Sequence, residues 1–277
     1  MFMKKYISAF LLLSLAIFLV ACGNSDSDSS SSDNKKTIKV GTSPGPYSEL
    51  FLKAVKPILE DKGYKVEDTE FTDLRQADVA LADGGIDLNV DQHTAYMNNF
   101  NKESGSSLVS LSAVPTVPAA LFPGKKKSLD DVKKGDVIGI PQDPSNAARA
   151  YAILQKAGWI KIKEGIDPIQ VTAQDIVENK YELEIKEMES AQIPRTLEDL
   201  DYGVIPGSIV YSSGIDAKKA ILQEDVVKNY ELVAVIAEKN KDTDWAKAVK
   251  DAYNSQEFKK YMDDNNKDNY WFIPKND

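Results

Sequence analysis

The sequence predicts an α/β protein of two lobes, each a sheet covered by helices, with a cleft between them. Three observations predict it. From Thr37 onward, short apolar strands and amphipathic helices alternate in steps of about 10–15 residues, the pattern of βαβ units. Two such runs are separated by extended, proline-punctuated segments that read as crossovers. A polar Ser/Asp stretch before Thr37 sets the folded part apart from an apolar N-terminal run.

Lys4 and Lys5 precede an almost unbroken apolar run from Ile7 to Val20. That run falls short of the about 20 residues a membrane-spanning helix needs, and it reads as the core of a secretory signal. Residues 1–21 are therefore expected to be a signal peptide. Leu19-Val20-Ala21-Cys22 resembles the lipobox of bacterial lipoproteins. That resemblance implies cleavage before Cys22, thioether lipidation of its sulfur and acylation of the new N-terminus by a palmitate-type chain. Gly23 to Lys36 holds Ser, Asp, Asn, Lys and Gly and no apolar side chain, so burial cannot offset its chain entropy. Residues 22–36 are expected to be a disordered tether spanning ~20 Å root-mean-square. The expected place is the extracytoplasmic face of the cell membrane, held by lipid.

The elements follow in order. Ile38 and Val40 mark a strand that ends in the turn-rich Gly41 to Pro46, and Leu50 to Ile58 keeps apolar residues on one helical face. Lys65 to Phe71 reads as a strand, Arg75 to Ala82 as a helix with Gly84-Gly85 at its C-cap, and Ile86 to Val90 as a strand. Asp91-Gln92-His93 then reads as a loop before a helix over Thr94 to Glu103. Val114 to Phe122 is extended. Ser128, with Asp131 three residues on, is expected to cap a short helix. Asp136 to Ile140 is a strand and Pro144 to Leu154 a helix; Leu183 to Met188 and Tyr202 to Ile205 are strands around a helix at Pro194 to Leu200. A strand at Leu232 to Ala237 and helices near Trp245 to Tyr253 and Glu257 to Met262 complete the chain. The expected lobes are residues 37–121 together with 210–277, and residues 122–209, built as parallel sheets.

Composition removes several classes. Asp plus Glu number 43 against 34 Lys plus Arg, a formal charge of −9, and the mature part is more acidic still once Lys4 and Lys5 are gone. Nucleic-acid binding needs a basic stripe that such a surface lacks. One Cys and one His cannot form a disulfide framework or a Cys/His zinc site. No glycine-rich phosphate loop and no nucleophile elbow occur, so neither catalysis nor a cofactor is expected. A scaffold or adhesin lipoprotein is the rival to a binding protein.

In open α/β sheets ligands sit beyond the carboxyl ends of the strands. Three such loops carry candidates: Tyr47 in the first; Asp91, Gln92, His93 and Tyr96 in the second; Ser145, Asn146 and Arg149 in the third. The third pairs a helix start with an arginine one turn in, suited to a carboxylate or phosphate, although a solvated surface arginine fits equally well. Asp91 reads as a helix N-cap, as an acceptor for a ligand amine, or as both. His93 reads as a surface or core histidine with a backbone partner, or as a ligand contact.

Ordered segments along the mature chain resemble the NlpA/MetQ family of lipoproteins, the substrate-binding components of methionine-type ABC importers. They include VGTSPGP at Val40 to Pro46, ALADGGID at Ala80 to Asp87, QH at Gln92-His93, IPQDPSNAARA at Ile140 to Ala150, LQKAGWIKIKEG at Leu154 to Gly165 and AQIPR at Ala191 to Arg195. The resemblance implies a two-lobed, type II-like periplasmic-binding-protein fold that closes on a small ligand. It implies a monomer delivering an amino acid, methionine above all, to a permease driven by an ATPase. By the same likeness Arg149 holds the ligand carboxylate, Asn146 is its polar neighbour, and His93 and Tyr96 line the pocket. Four positions depart from the family pattern: Leu74 and Asp91 stand where aromatics are usual, and Pro206 and Ser208, flanking Gly207, where asparagines are usual. A carboxylate at position 91 needs a partner, which an ammonium group on the ligand would supply. A different amino acid or a short peptide therefore stays open, and Arg149→Ala is expected to weaken binding with the fold intact.

Overall fold

The computed structural model describes residues 36–266 and 270–274. The expected signal peptide and all of the expected tether but Lys36 lie outside the described residues. β1 (Thr37–Thr42) leads into α1 (Pro46–Leu50), a π-helical turn (Phe51–Val55) and α2 (Lys56–Asp61). β2 (Lys65–Glu70), α3 (Leu74–Ala82), β3 (Leu88–His93), α4 (Thr94–Ser104) and β4 (Leu108–Val114) follow. The chain then crosses to β5 (Ala120–Pro123), β6 (Val137–Pro141) and α5 (Pro144–Lys156). A hairpin of β7 (Ile160–Ile162) and β8 (Ile176–Asn179) precedes β9 (Glu184–Met188) and α6 (Ile193–Thr196). β10 (Tyr202–Ile205), α7 (Gly207–Ser213) and β11 (Leu222–Gln223) end the second lobe, and the chain returns as β12 (Leu232–Ala237), α8 (Asp244–Asn254) and α9 (Gln256–Asn265).

The two main sheets share one plan. The first has the order β2-β1-β3-β12-β4 and the second β11-β5-β10-β6-β9. In each, the strand arriving from the other lobe lies between that lobe's third and fourth strands. It runs antiparallel to both neighbours: β12 against β3 and β4, β5 against β10 and β11. The sheets are thus mixed, not parallel as expected. The reason is directional. A crossover strand enters from the cleft, at the carboxyl ends of the parallel strands, so it must run the other way.

Apolar clusters cover both faces of both sheets. β12 is buried along its whole length, as central strands are. Its Leu232, Ala234 and Ile236 face the helices at Tyr47–Leu59 and Trp245–Met262, whereas Val233 and Val235 face Leu81, Met97 and Phe100. In the second lobe Tyr202 and Val204 pack on Tyr151 and Leu154 of α5, and Ile205 packs with Phe122, Ile193 and Val210.

Strand pairing moves the lobe limits. β5 begins at Ala120, so the first crossover spans Pro115–Ala119 and the limit falls a little before residue 122. β11 pairs with β5, and Val210 of α7 is in the second lobe's core, so the return comes after Gln223 and not at residue 210. Two-residue β11 is too short to show a period, which is why the sequence does not reveal it. The crossovers lie side by side. The Leu232 N–H donates to Thr116 Oγ1 at 2.8 Å, and the Glu224 N–H donates to the Ala119 carbonyl at 3.0 Å.

Candidate ligand-binding site

Loops at the carboxyl ends of strands in both sheets converge on one cavity of about 70 Å³. The first lobe lends Tyr47, Leu74, Asp91, Gln92, His93, Tyr96 and Leu232; the second lends Asn146, Arg149, Pro206, Gly207 and Ser208. Of the residues singled out in the sequence, Ser145 alone lies outside this lining, and the departures at positions 74, 91, 206 and 208 are all within it. Tyr96 also borders a larger chamber of about 500 Å³ between the lobes, lined by Asp73, Glu103, Asp143 and Glu189 among others.

Local chemistry places each group. β3 runs on through His93, so Asp91-Gln92-His93 is strand and not loop. The N-cap of α4 is His93: its Nδ1 accepts from the Tyr96 N–H at 3.1 Å. Asp91 is therefore not the cap. Because Nδ1 is an acceptor, Nε2 carries the proton and faces Asn146 Oδ1, across the cleft, at 3.4 Å. Burial, reinforced by the Arg149 charge, pushes the imidazole down to about 3, so it stays neutral at physiological pH. Asp143 caps α5, accepting from the Asn146 N–H at 3.0 Å and from Asn146 Nδ2 at 3.1 Å, which orients that amide.

Arg149 and Glu224 form a buried ion pair, each side chain 4% exposed. Nε donates to Glu224 Oε2 at 2.9 Å, the second terminal nitrogen donates to Oε1, and Nη1 donates to Asn146 Oδ1 at 3.0 Å. The guanidinium carbon lies 5.2 Å from the centre of the Tyr230 ring, and that ring meets His93 edge-on at 5.6 Å. Glu224, Tyr230 and Leu232 escape the sequence reading. They lie on the return crossover and its first strand residue, far in sequence from the loops they complete.

Asp91 is partly exposed. It accepts from Ser43 Oγ at 2.8 Å and from Ser48 Oγ at 2.8 and 3.0 Å, and among the described residues no Lys or Arg pairs with it. Burial raises its carboxyl to about 6, against the opposing pull of the two hydroxyls. Other lining groups are committed elsewhere. Gln92 is 1% exposed and donates to Asp78 and to Asn89, the latter at 3.1 Å. The Tyr47 hydroxyl donates to the Val117 carbonyl at 3.3 Å and accepts from the Val117 N–H at 3.2 Å, so it braces the first crossover.

Gly207 backs onto the same crossover. A Cβ there would stand 2.5 Å from the Val117 carbonyl oxygen, and backbone cannot give way cheaply. Gly207→Ala is expected to destabilise by about 1–3 kcal/mol through overpacking and to weaken ligand binding by displacing the crossover. Thermal unfolding and titration calorimetry on the purified variant check both, and an unchanged melting temperature would remove the packing argument.

The profile of the NlpA lipoprotein family matches residues 38–274. The D-methionine-binding lipoprotein MetQ of Salmonella typhi is 36% identical over 245 residues, spanning 87% of this chain and 88% of that protein. A crystal structure of the methionine-binding protein MetQ superposes with a TM-score of 0.79 at 32% identity, covering 88% of this chain and all of the other. A nutrient-binding protein of Burkholderia cenocepacia, solved with methionine bound, superposes with a TM-score of 0.78 at 34% identity, covering 84% of this chain and 98% of that one. The two-lobed binding-protein fold implied by the sequence segments is the fold of these relatives. Matched from the first strand to the last described residues, the chain belongs to the NlpA lipoprotein family.

Proposed function

We propose that this chain is the extracytoplasmic substrate-binding lipoprotein of an ABC importer, capturing an amino acid, with methionine first in order. It is a binding protein and not an enzyme. The observation that carries the reading is the juxtaposition of Arg149 and Asp91 in one cavity between two lobes. Arg149 meets the α-carboxylate, Asn146 and neutral His93 orient it, and Asp91 meets the ammonium. Leu74, Tyr96 and Leu232 surround the side chain, and Ser208, Gln92 and Tyr47 complete the wall. Binding favours the closed arrangement because only there do groups of both lobes touch the ligand. The lobes are tied to the membrane through lipidated Cys22 and the tether, as a monomer that hands its cargo to a permease and its ATPase. Among the described residues no helix is long and apolar enough to cross a membrane.

Asp91 favours a second reading, a different amino acid or a short peptide with an additional cationic group. The chamber beyond Tyr96, whose wall carries Asp73, Asp143 and Glu189 beside the Arg75–Glu103 ion pair, would house the extension. Mass spectrometry of ligand released by denaturing the purified protein tests both. Methionine supports the first reading, a cationic amino acid or peptide supports the second, and a cleft that takes none of these in a thermal-shift screen sinks both.

The Asp91 partnership predicts a pH dependence. Its carboxyl titrates near 6 in the free protein, so an ammonium partner loses its counter-charge as pH falls through that value. Affinity measured between pH 5 and 8 is expected to fall on the acid side of about 6. His93, already neutral, contributes nothing in that window. A flat profile would mean that the ligand's ammonium does not sit on Asp91.

A further inference from the structure

We propose that Glu224 is a positioning residue for ligand recognition, holding one edge of Arg149 so that the opposite edge is presented to the ligand carboxylate. The proposal rests on the amino-acid reading above. A guanidinium has five N–H groups. Glu224 takes the Nε–H and one terminal N–H as a side-on fork, and Asn146 takes one on Nη1. Two remain, one on each terminal nitrogen, and a second carboxylate can use them without disturbing the first.

Three features make Glu224 a fixture and not a competitor to be displaced. Its Oε1 also accepts from the Ala119 N–H at 2.6 Å, and its own N–H donates to the Ala119 carbonyl at 3.0 Å. Its side chain is buried, so leaving Arg149 would strand a carboxylate without a counter-ion. Tyr230, six residues on in the same crossover, covers one face of the guanidinium. The return crossover thus frames Arg149 by edge and by face, and Ala119 joins that frame to the other crossover. A ligand carboxylate arriving at Arg149 meets a group already aligned with the hinge.

Competition and positioning predict opposite signs for Glu224→Gln, which keeps an acceptor but loses the charge and the fork. Positioning predicts that methionine affinity falls about ten-fold or more, while the affinity for methioninamide, which lacks the carboxylate, stays within about two-fold. Unchanged or tighter methionine binding overturns the proposal. Nitrogen-15 NMR of the arginine side chains in the wild-type chain provides a test that needs no variant. The Arg149 Nε–H is expected to be protected from exchange in the free protein, and to stay protected when methionine is added. An unprotected Nε–H, or protection lost on adding methionine, overturns it. Should the wild type bind no methionine, the methionine reading fails on that result, and the affinity and protection comparisons are made with the amino acid released by the denatured protein; an unprotected Nε–H in the free protein overturns the role of Glu224 whatever the ligand.

Discussion

Arg149→Ala is expected to reduce amino-acid affinity by two to three orders of magnitude, about 3–4 kcal/mol, as loss of one partner of a buried, hydrogen-bonded charge pair does. It is also expected to lower stability, which the sequence alone does not anticipate. Removing the guanidinium leaves the Glu224 carboxylate buried without a counter-ion, at a cost of about 3–5 kcal/mol. For a chain of this size that is a fall in melting temperature on the order of 10 °C. The two effects are separable. The pair Arg149→Met with Glu224→Leu fills the same space with apolar groups and is expected to restore part of the stability, because buried ion pairs add little over a well-packed apolar replacement while the Ala119 N–H loses its acceptor. Binding is not restored. Calorimetry on both variants reads this directly, and a double variant that binds within a factor of three of wild type removes Arg149 from the site.

Asp91→Asn is expected to weaken binding of an amino acid by about 100-fold at pH 7, since it removes the charge facing the ligand's ammonium while keeping an acceptor for Ser43 and Ser48. The sign for stability is opposite. Burial raises the Asp91 carboxyl from its ordinary value to about 6, so ionisation disfavours the folded state at pH 7 and not at pH 3. The variant is therefore expected to melt higher than wild type at pH 7 and at the same temperature at pH 3. Its affinity is expected to match that of wild type at pH 5 and to diverge above 6. Equal affinities at pH 7 would confine Asp91 to holding the two serine hydroxyls.

Lengthwise patterns are legible in the sequence to different depths. The alternation of Ile38, Val40, the Leu50–Ile58 stripe and the apolar run Leu232–Ala237 marks elements that bury a face, and those elements form where expected. β4 and α7 are absent from the sequence reading. Ser110 and Ser112 interrupt the first with polar side chains, and Pro206 and Gly207 disguise the start of the second as a turn. The direction of β5 and β12 is not a local property. It follows from which lobe the chain has just left.

The candidate site shows the same division. Strand-end loops, a helix start with an arginine one turn in, and the neighbourhood of one histidine are short-range signals, and they converge on one cavity. Which partner each group takes was decided elsewhere. Glu224 lies 75 residues from Arg149 and Asn146 lies 53 from His93, and no spacing rule connects positions so far apart. By itself the sequence determined the class of fold and most of the cavity lining, because these depend on local periodicity and composition. Tertiary structure alone decided that His93 and not Asp91 caps its helix, that Asp91 is held by the Ser43 and Ser48 hydroxyls, and that Arg149 is already half-occupied. Those outcomes depend on which charges burial brings within hydrogen-bond reach, and in a low-dielectric interior each partner changes the state of the next.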